Sequence, residues 1–293
     1  MATFGSILKG SDQKNAVEDL EFLKKKIRPL VLRRTKALVL DDLPEKNETV
    51  VALPFDKKQA EVYKKMALAW NQQISGLVSL RGESGAQLEM LTALLKLRQI
   101  CSLPKSVEGV GPGVTSPKFE LLREKLLELD SKGESAIVFT NFLSTLDELK
   151  RILGVAGLKT LSICGKDSKK KRQATLSQFN TAELPHHLIM TLKSGGVGLN
   201  LTRANYVFHF EPWWNPAAEN QGTDRVHRIG QRKDVQVYRY IMKDSVEEKI
   251  QDLKMNKKRA FDLLFEDDPD KLKTNLNLKT ARLSQADFEA LLL

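Results

Sequence analysis

Short, almost wholly apolar runs alternate with longer amphipathic stretches along the second half of the chain. Ala136 to Thr140 (AIVFT), Thr160 to Cys164, Leu188 to Met190, Tyr206 to Phe210 and Val235 to Met242 have the length and composition of buried strands. Between them, Leu143 to Leu153 and Ser168 to Phe179 read as helices. Ahead of the first strand, SPKFELLREKLLELDSKGES is an amphipathic helix with Ser116 as candidate N-cap and Pro117 at the first helical position. Strands that alternate with helices predict an α/β fold with a parallel sheet. Ligands of such sheets bind beyond the carboxyl ends of the strands.

The first half is patterned differently. Asp12 to Ile27 places Val17, Leu20, Phe22, Leu23 and Ile27 as one face of a helix, which Pro29 ends or redirects. Asn47 to Leu53 is β-branched and alternating, as a strand requires. Lys57 to Ser75 and Ala86 to Cys101 read as two helices, with Trp70 packing rather than binding. The Gly/Pro loop VEGVGPGV, Val107 to Val114, is the clearest internal boundary.

Composition narrows the classes. With 293 residues, 41% hydrophobic and 29% charged, the chain is long enough for one large or two ordinary globular domains. No apolar run approaches the roughly 18 residues of a membrane span, and MATFGSILKG lacks the apolar core of a signal peptide. Cys101 and Cys164 match no zinc or redox spacing, and His186 and His187 read as loop residues without metal partners, so no metal site is expected. An intracellular protein follows from these features, in cytoplasm and nucleoid if bacterial or in the nucleus if eukaryotic. Net charge is +10, and from Lys243 onward there are 10 Lys and Arg against 11 Asp and Glu, so the basic excess lies in the body of the chain. That permits a polyanionic partner without proving one.

The candidate chemistry sits between Thr191 and Gln231. The turn Lys193-Ser194-Gly195-Gly196-Val197-Gly198 follows a strand, and its glycines allow close backbone approach to a ligand. After the next strand comes Trp213-Trp214-Asn215-Pro216, and Pro216 can open a helix. That helix is expected to carry Gln221, Asp224, Arg225, His227 and Arg228. The two arginines, three apart, would share one face and could grip one anion.

GGVGLNLT, WWNP and DRVHRIGQ, in this order, resemble motifs V and VI of the Swi/Snf family of DNA-dependent ATPases, members of helicase superfamily two. AIVFTNFLSTLDEL resembles motif IV, and Gly165, Arg172 and Phe179 match the looser segment that follows it. RPLVLRRTK resembles the segment after the crossing between the lobes, and LLKLRQICSLP resembles the family's LLRLRQICNHP with Ser102-Leu103 in place of Asn-His. Glu211 stands where many relatives have Asp, and Gly222-Thr223 departs from the common Ala-containing form.

The resemblance implies a RecA-like parallel sheet flanked by helices, with a mostly helical protrusion on its N-terminal side. It implies three parts: a leading helix and protrusion over 1–115, the RecA-like lobe over 116–242, and a bracing helix with tail over 243–293. Arg225 and Arg228 would act on the γ-phosphate of ATP at an interlobe site organised by Gln221, Gly196, Gly198 and Asp224. His227 would pack rather than carry protons. Thr140, Asn141, Thr191, Lys193 and Trp214 would contact DNA, with Trp213 in the core. A helix cap is the competing use of Thr140 and Asn141.

No G-x-x-x-x-G-K-[ST] phosphate loop and no DEGH-like box occurs in these residues. The expectation is therefore a second motor lobe, inactive alone, whose first RecA-like lobe supplies most of the grip on ATP and Mg²⁺. Its partners would be that lobe, double-stranded DNA and, for a remodeller, a DNA-bound protein. A stand-alone DNA-binding module and half of a strand-separating helicase are the alternatives.

Overall fold

Six strands form one all-parallel sheet in the order β1-β6-β5-β2-β4-β3. They are β1 (Lys46–Leu53), β2 (Ala136–Thr140), β3 (Thr160–Ile163), β4 (His187–Thr191), β5 (Tyr206–His209) and β6 (Val235–Met242). The helices with both ends among the described residues are α1 (Lys57–Ser102), α2 (Pro117–Ser131), α3 (Leu143–Val155), α4 (Lys169–Thr181) and α5 (Pro216–Thr223). This computed structural model describes residues 43–196, 199–252 and 254, with 26 and 29 as isolated positions. The readings made for Asp12 to Ile27, for RPLVLRRTK and for the tail beyond 254 lie outside the described residues.

All five residues of β2 are buried, and the strand's period of two divides them between two cores. Ala136 and Val138 meet Leu122 and Leu126 of α2 and Leu146 and Leu149 of α3. Ile137 and Phe139 lie in a second cluster with Phe179 of α4, Met190 and Val226. Burial on both faces is why the run is apolar throughout instead of alternating. β1 is drawn into the sheet from ahead of the Gly/Pro loop, paired in register from Lys46 with Val235 to Leu53 with Met242. Among the described residues it is an edge strand, and Glu48, bonded to Lys46, ties it to Arg239 of β6 at 2.9 Å.

α1 is broken at Gly82, whose φ of 70° and ψ of 171° are not helical, so two helices meet there, between the two helical stretches expected. Glycine takes that conformation without a steric penalty. Ser116 does hold the N-cap position of α2, yet its hydroxyl donates to the Cys101 carbonyl at 3.0 Å, joining the end of α1 to the start of α2. His187 is no loop residue: it opens β4 and is fully buried. Ile189, two residues on and on the same face, belongs to the apolar core, so strand register carries the imidazole inside.

Candidate functional site

The chain runs from β2 out to β3, returns through β4 and then crosses β2 to β5, leaving a crevice beyond the carboxyl ends of β2, β3 and β4. A pocket of about 200 Å³ occupies that crevice, with Asn141, Gly165, Lys166, Thr191, Lys193 and Trp213 among its lining residues. Three of the five residues expected to contact DNA, Asn141, Thr191 and Lys193, are thereby brought together. Lys166, which sequence reasoning passed over, joins them because Asp167 accepts from the Cys164 N–H at 2.7 Å and folds the loop after β3 back toward the sheet. Its signal was its place three residues after a buried strand end. Thr191 is 8% exposed and shares a hydrogen with Ser194 at 2.6 Å, so it faces the pocket as part of a small hydroxyl pair.

Thr140 and Trp214 are not among the pocket-lining residues. Thr140 is 1% exposed, and its hydroxyl donates to Glu211 Oε1 at 3.1 Å, which corrects its expected exposure to phosphate. Glu211 is the reason. Buried at the end of β5, it also accepts from the Asn141 N–H at 2.9 Å and the Ser102 hydroxyl at 2.6 Å. Two departures from the family pattern thus meet: a longer acid at 211 reaches a shorter polar group at 102. Neither Thr140 nor Asn141 caps α3, whose N-cap is Phe142 without a side-chain bond.

Trp213 lines the pocket and also packs against the second core cluster, with Lys193 Nζ 5.9 Å from its ring. Its N–H donates to Glu219 Oε1 at 2.6 Å, and Glu219 Oε2 accepts from Arg239 Nε at 3.3 Å. Through Arg239 the relay reaches Glu48 on the edge strand. Burial raises the Glu48 carboxyl, but Lys46 and Arg239 outweigh it and hold its pKa at about 2.

The arginine segment is built otherwise. α5 starts as expected, with Pro216 at its first position and Asn215 accepting from the Ala217 N–H at 3.0 Å. It ends at Thr223 with Asp224 as C-cap, so Arg225, His227 and Arg228 lie in turns and do not share a helical face. Partners outside the helix capture carbonyls just past its end. Leu201 N–H donates to Arg225 O at 3.1 Å, and Gln231 Nε2 donates to Val226 O at 3.3 Å. Gln231 also donates to Ala204 O at 2.8 Å and Thr202 O at 3.1 Å, tying this segment to the strand-leading loop. Arg228 Nη1 donates to Leu199 O at 3.2 Å, just past the glycine turn.

Gln221 is exposed, while Asp224 and Arg225 are half-buried. His227 is 8% exposed and meets the Pro44 carbonyl at 2.8 Å, a packing role. Gly196 closes a 3-10 turn, Leu192–Gly196, and Gly198 lies outside the described residues. Gly222 is needed small, since a Cβ there would stand 3.2 Å from both Leu192 and Phe139. Thr223 Oγ1 is 3.0 Å from His209 Nε2. Among the described residues no group of three or more His, Cys, Asp or Glu is placed to hold a metal, so these residues offer Mg²⁺ no ligand set of their own.

Against known families, residues 117–230 match the helicase conserved C-terminal domain and residues 2–106 match the SNF2-related domain. A Mycoplasma pneumoniae protein named as an uncharacterized ATP-dependent helicase is 37% identical over 234 residues, covering 80% of this chain and 22% of that protein. The SWI2/SNF2 ATPase core of Sulfolobus solfataricus, solved in complex with dsDNA, is 32% identical with a TM-score of 0.62, covering 87% of this chain and 54% of that one. The separate C-terminal domain of the Sulfolobus ATPase is 27% identical with a TM-score of 0.61, covering 80% of this chain and 99% of that one. The chain spans about a quarter or less of the length of the first curated relatives it matches.

Proposed function

The chain belongs to the Snf2-related family of helicase-superfamily-two ATPases, and from that premise we propose that it is the second motor lobe of an ATP-dependent double-stranded-DNA translocase. The observation that carries this reading is the pocket where Asn141, Thr191, Lys193 and Lys166 converge at three strand ends. Two ammonium groups and polar side chains, without a base-reading element, suit a phosphate of the DNA backbone.

ATP is the substrate of the assembled motor and lies between this lobe and the first. These residues would leave Mg²⁺ to the first lobe, where it would supply charge neutralisation at the phosphates. Arg225 and Arg228 bind the γ-phosphate from this side and stabilise the charge that builds there in the transition state. A guanidinium suits that task because it is permanently charged and forked. The Leu199 carbonyl holds Arg228 beside the glycine turn, so closing of the cleft and movement of the DNA-contacting segment are joined through one short tether. DNA then advances by a change in the distance between the two lobes' phosphate contacts.

The test uses the motor assembled with its first lobe. ATP-dependent displacement of a triplex-forming strand, with the underlying duplex left paired, is the expected result. Separation of the duplex strands would identify a helicase instead. Salt-dependent binding of DNA with no effect of ATP would identify a non-catalytic binding module.

A further inference from the structure

Arg98 is a charge buried among aromatic rings. It lies one turn before the end of α1, on the protrusion, and is 3% exposed. Its Nη2 donates to the Pro212 carbonyl at 2.9 Å, while its Nε has no partner among the described residues. Its guanidinium carbon stands 5.4 Å from the Phe142 ring, 5.4 Å from Trp213 and 5.6 Å from Trp214. Burial pushes its pKa down against the pull of Glu247, Glu211 and Glu219. A buried guanidinium is costly, and an apolar side chain of like volume usually serves stability as well or better. What the arginine adds is direction: one N–H on a carbonyl and three rings around one cation fix the loop from Pro212 to Trp214.

That loop is the aromatic wall of the pocket. Trp213 has Arg98 behind it and Lys193 5.9 Å away toward the pocket. We propose that Arg98 is a positioning residue for nucleic-acid binding: the helical protrusion, through this one side chain, sets the pose of Trp213 and hence of Lys193 in the phosphate pocket. The inference rests on the reading of that pocket as a DNA site. It gives α1 a part in DNA engagement although Arg98 itself is buried away from any ligand.

Duplex affinity and melting temperature of the full chain test it. Arg98→Met is expected to weaken binding of a labelled duplex about tenfold, the scale of a desolvated cation–π contact, while the melting temperature holds or rises. In a Trp213→Ala background the same substitution should change affinity by less than about twofold, because the positioned ring is already gone. Should Arg98→Met not fold, Arg98→Lys carries the test, keeping the charge and losing the fork, with the same collapse of its effect when Trp213 is absent. A parallel fall in affinity and melting temperature, undiminished by Trp213→Ala, would make Arg98 a structural staple and overturn the proposal. Unchanged affinity in Arg98→Met while Lys193→Ala binds weakly would overturn it too, with the pocket reading intact. Unchanged affinity in both Lys193→Ala and Trp213→Ala would remove the pocket reading and the proposal with it.

Discussion

The pocket lies beyond the carboxyl ends of the strands, the arginine segment runs back to the amino-end side at Pro44 and Ala204, and the two are held in opposite ways. Asn141 and Thr191 extend from β2 and β4, neighbours paired residue for residue up to Thr140 and Thr191. Their positions follow from strand register, and the buried Glu211 locks the turn after β2. Arg225 and Arg228 stand on no regular element. Their turns depend on side chains reaching carbonyls far away in sequence, Gln231 to Thr202 and Ala204 and Arg228 to Leu199. A site built on strands resists change in any one side chain, whereas a segment held by a few long-range bonds can shift as a unit. A phosphate grip calls for the first and a charge that must meet a second lobe calls for the other.

The largest expected effect breaks the second half alone. In the assembled motor, Arg228→Ala should lower ATP turnover by about 10³–10⁵ while duplex affinity stays near wild type. Arg228→Lys should recover little, since an ammonium cannot span two oxygens. Turnover above about a tenth of wild type, far outside the finger range, would move the role to Arg225. This chain without the first lobe should show no turnover above background.

A smaller effect concerns the far end of β4. Burial pushes the His187 imidazole down to about 4, against the pull of Asp130, whose carboxylate is 3.8 Å away. The folded value lies below the unfolded one near 6.5, so the unfolded chain binds the proton first. This contribution to stability is complete above the unfolded pKa, is lost as pH falls toward 4, and amounts to about 2–3 kcal/mol. Urea unfolding across that window should show the slope in the wild type and a flatter curve in His187→Leu. Equal slopes would assign the acid loss elsewhere.

Gln231→Ala should cost about 2 kcal/mol, the range for buried carbonyls left without a donor. It should also lower turnover of the assembled motor more than it lowers duplex affinity. Equal losses in the two would show that the arginine segment and the pocket are not separately held.

Much of the strand-built half was legible in sequence. β2 and β6 run over the residues their patterns marked; two-sided burial makes β2 an uninterrupted apolar run, while β6 carries Gln236 and Arg239 within its run. Asn141, Thr191 and Lys193 could be named from their places after such runs. The shape of the arginine segment could not be read the same way. GTDRVHR continues a helical pattern locally, while the Leu201 N–H, distant in sequence, and the Gln231 side-chain amide at the motif's end take the Arg225 and Val226 carbonyls. Thr140 and Glu211 illustrate the same limit, since a hydroxyl at a strand end points outward until a buried carboxylate claims it. His187 escaped because a strand's first residue is hard to distinguish from the loop before it.

The smallest expected effect probes the claim on which the rest depends, that the crevice beyond β2, β3 and β4 grips DNA phosphate. It is the salt dependence of duplex affinity for this chain, read by fluorescence anisotropy in wild type and Lys193→Ala on two unrelated duplex sequences. Wild-type affinity should fall steeply with salt and be the same for both duplexes. Lys193→Ala should bind a few-fold more weakly, with the logarithmic salt slope shallower by about 0.9, one phosphate contact. An unchanged slope in Lys193→Ala, or affinity that follows base sequence rather than salt, would contradict the account.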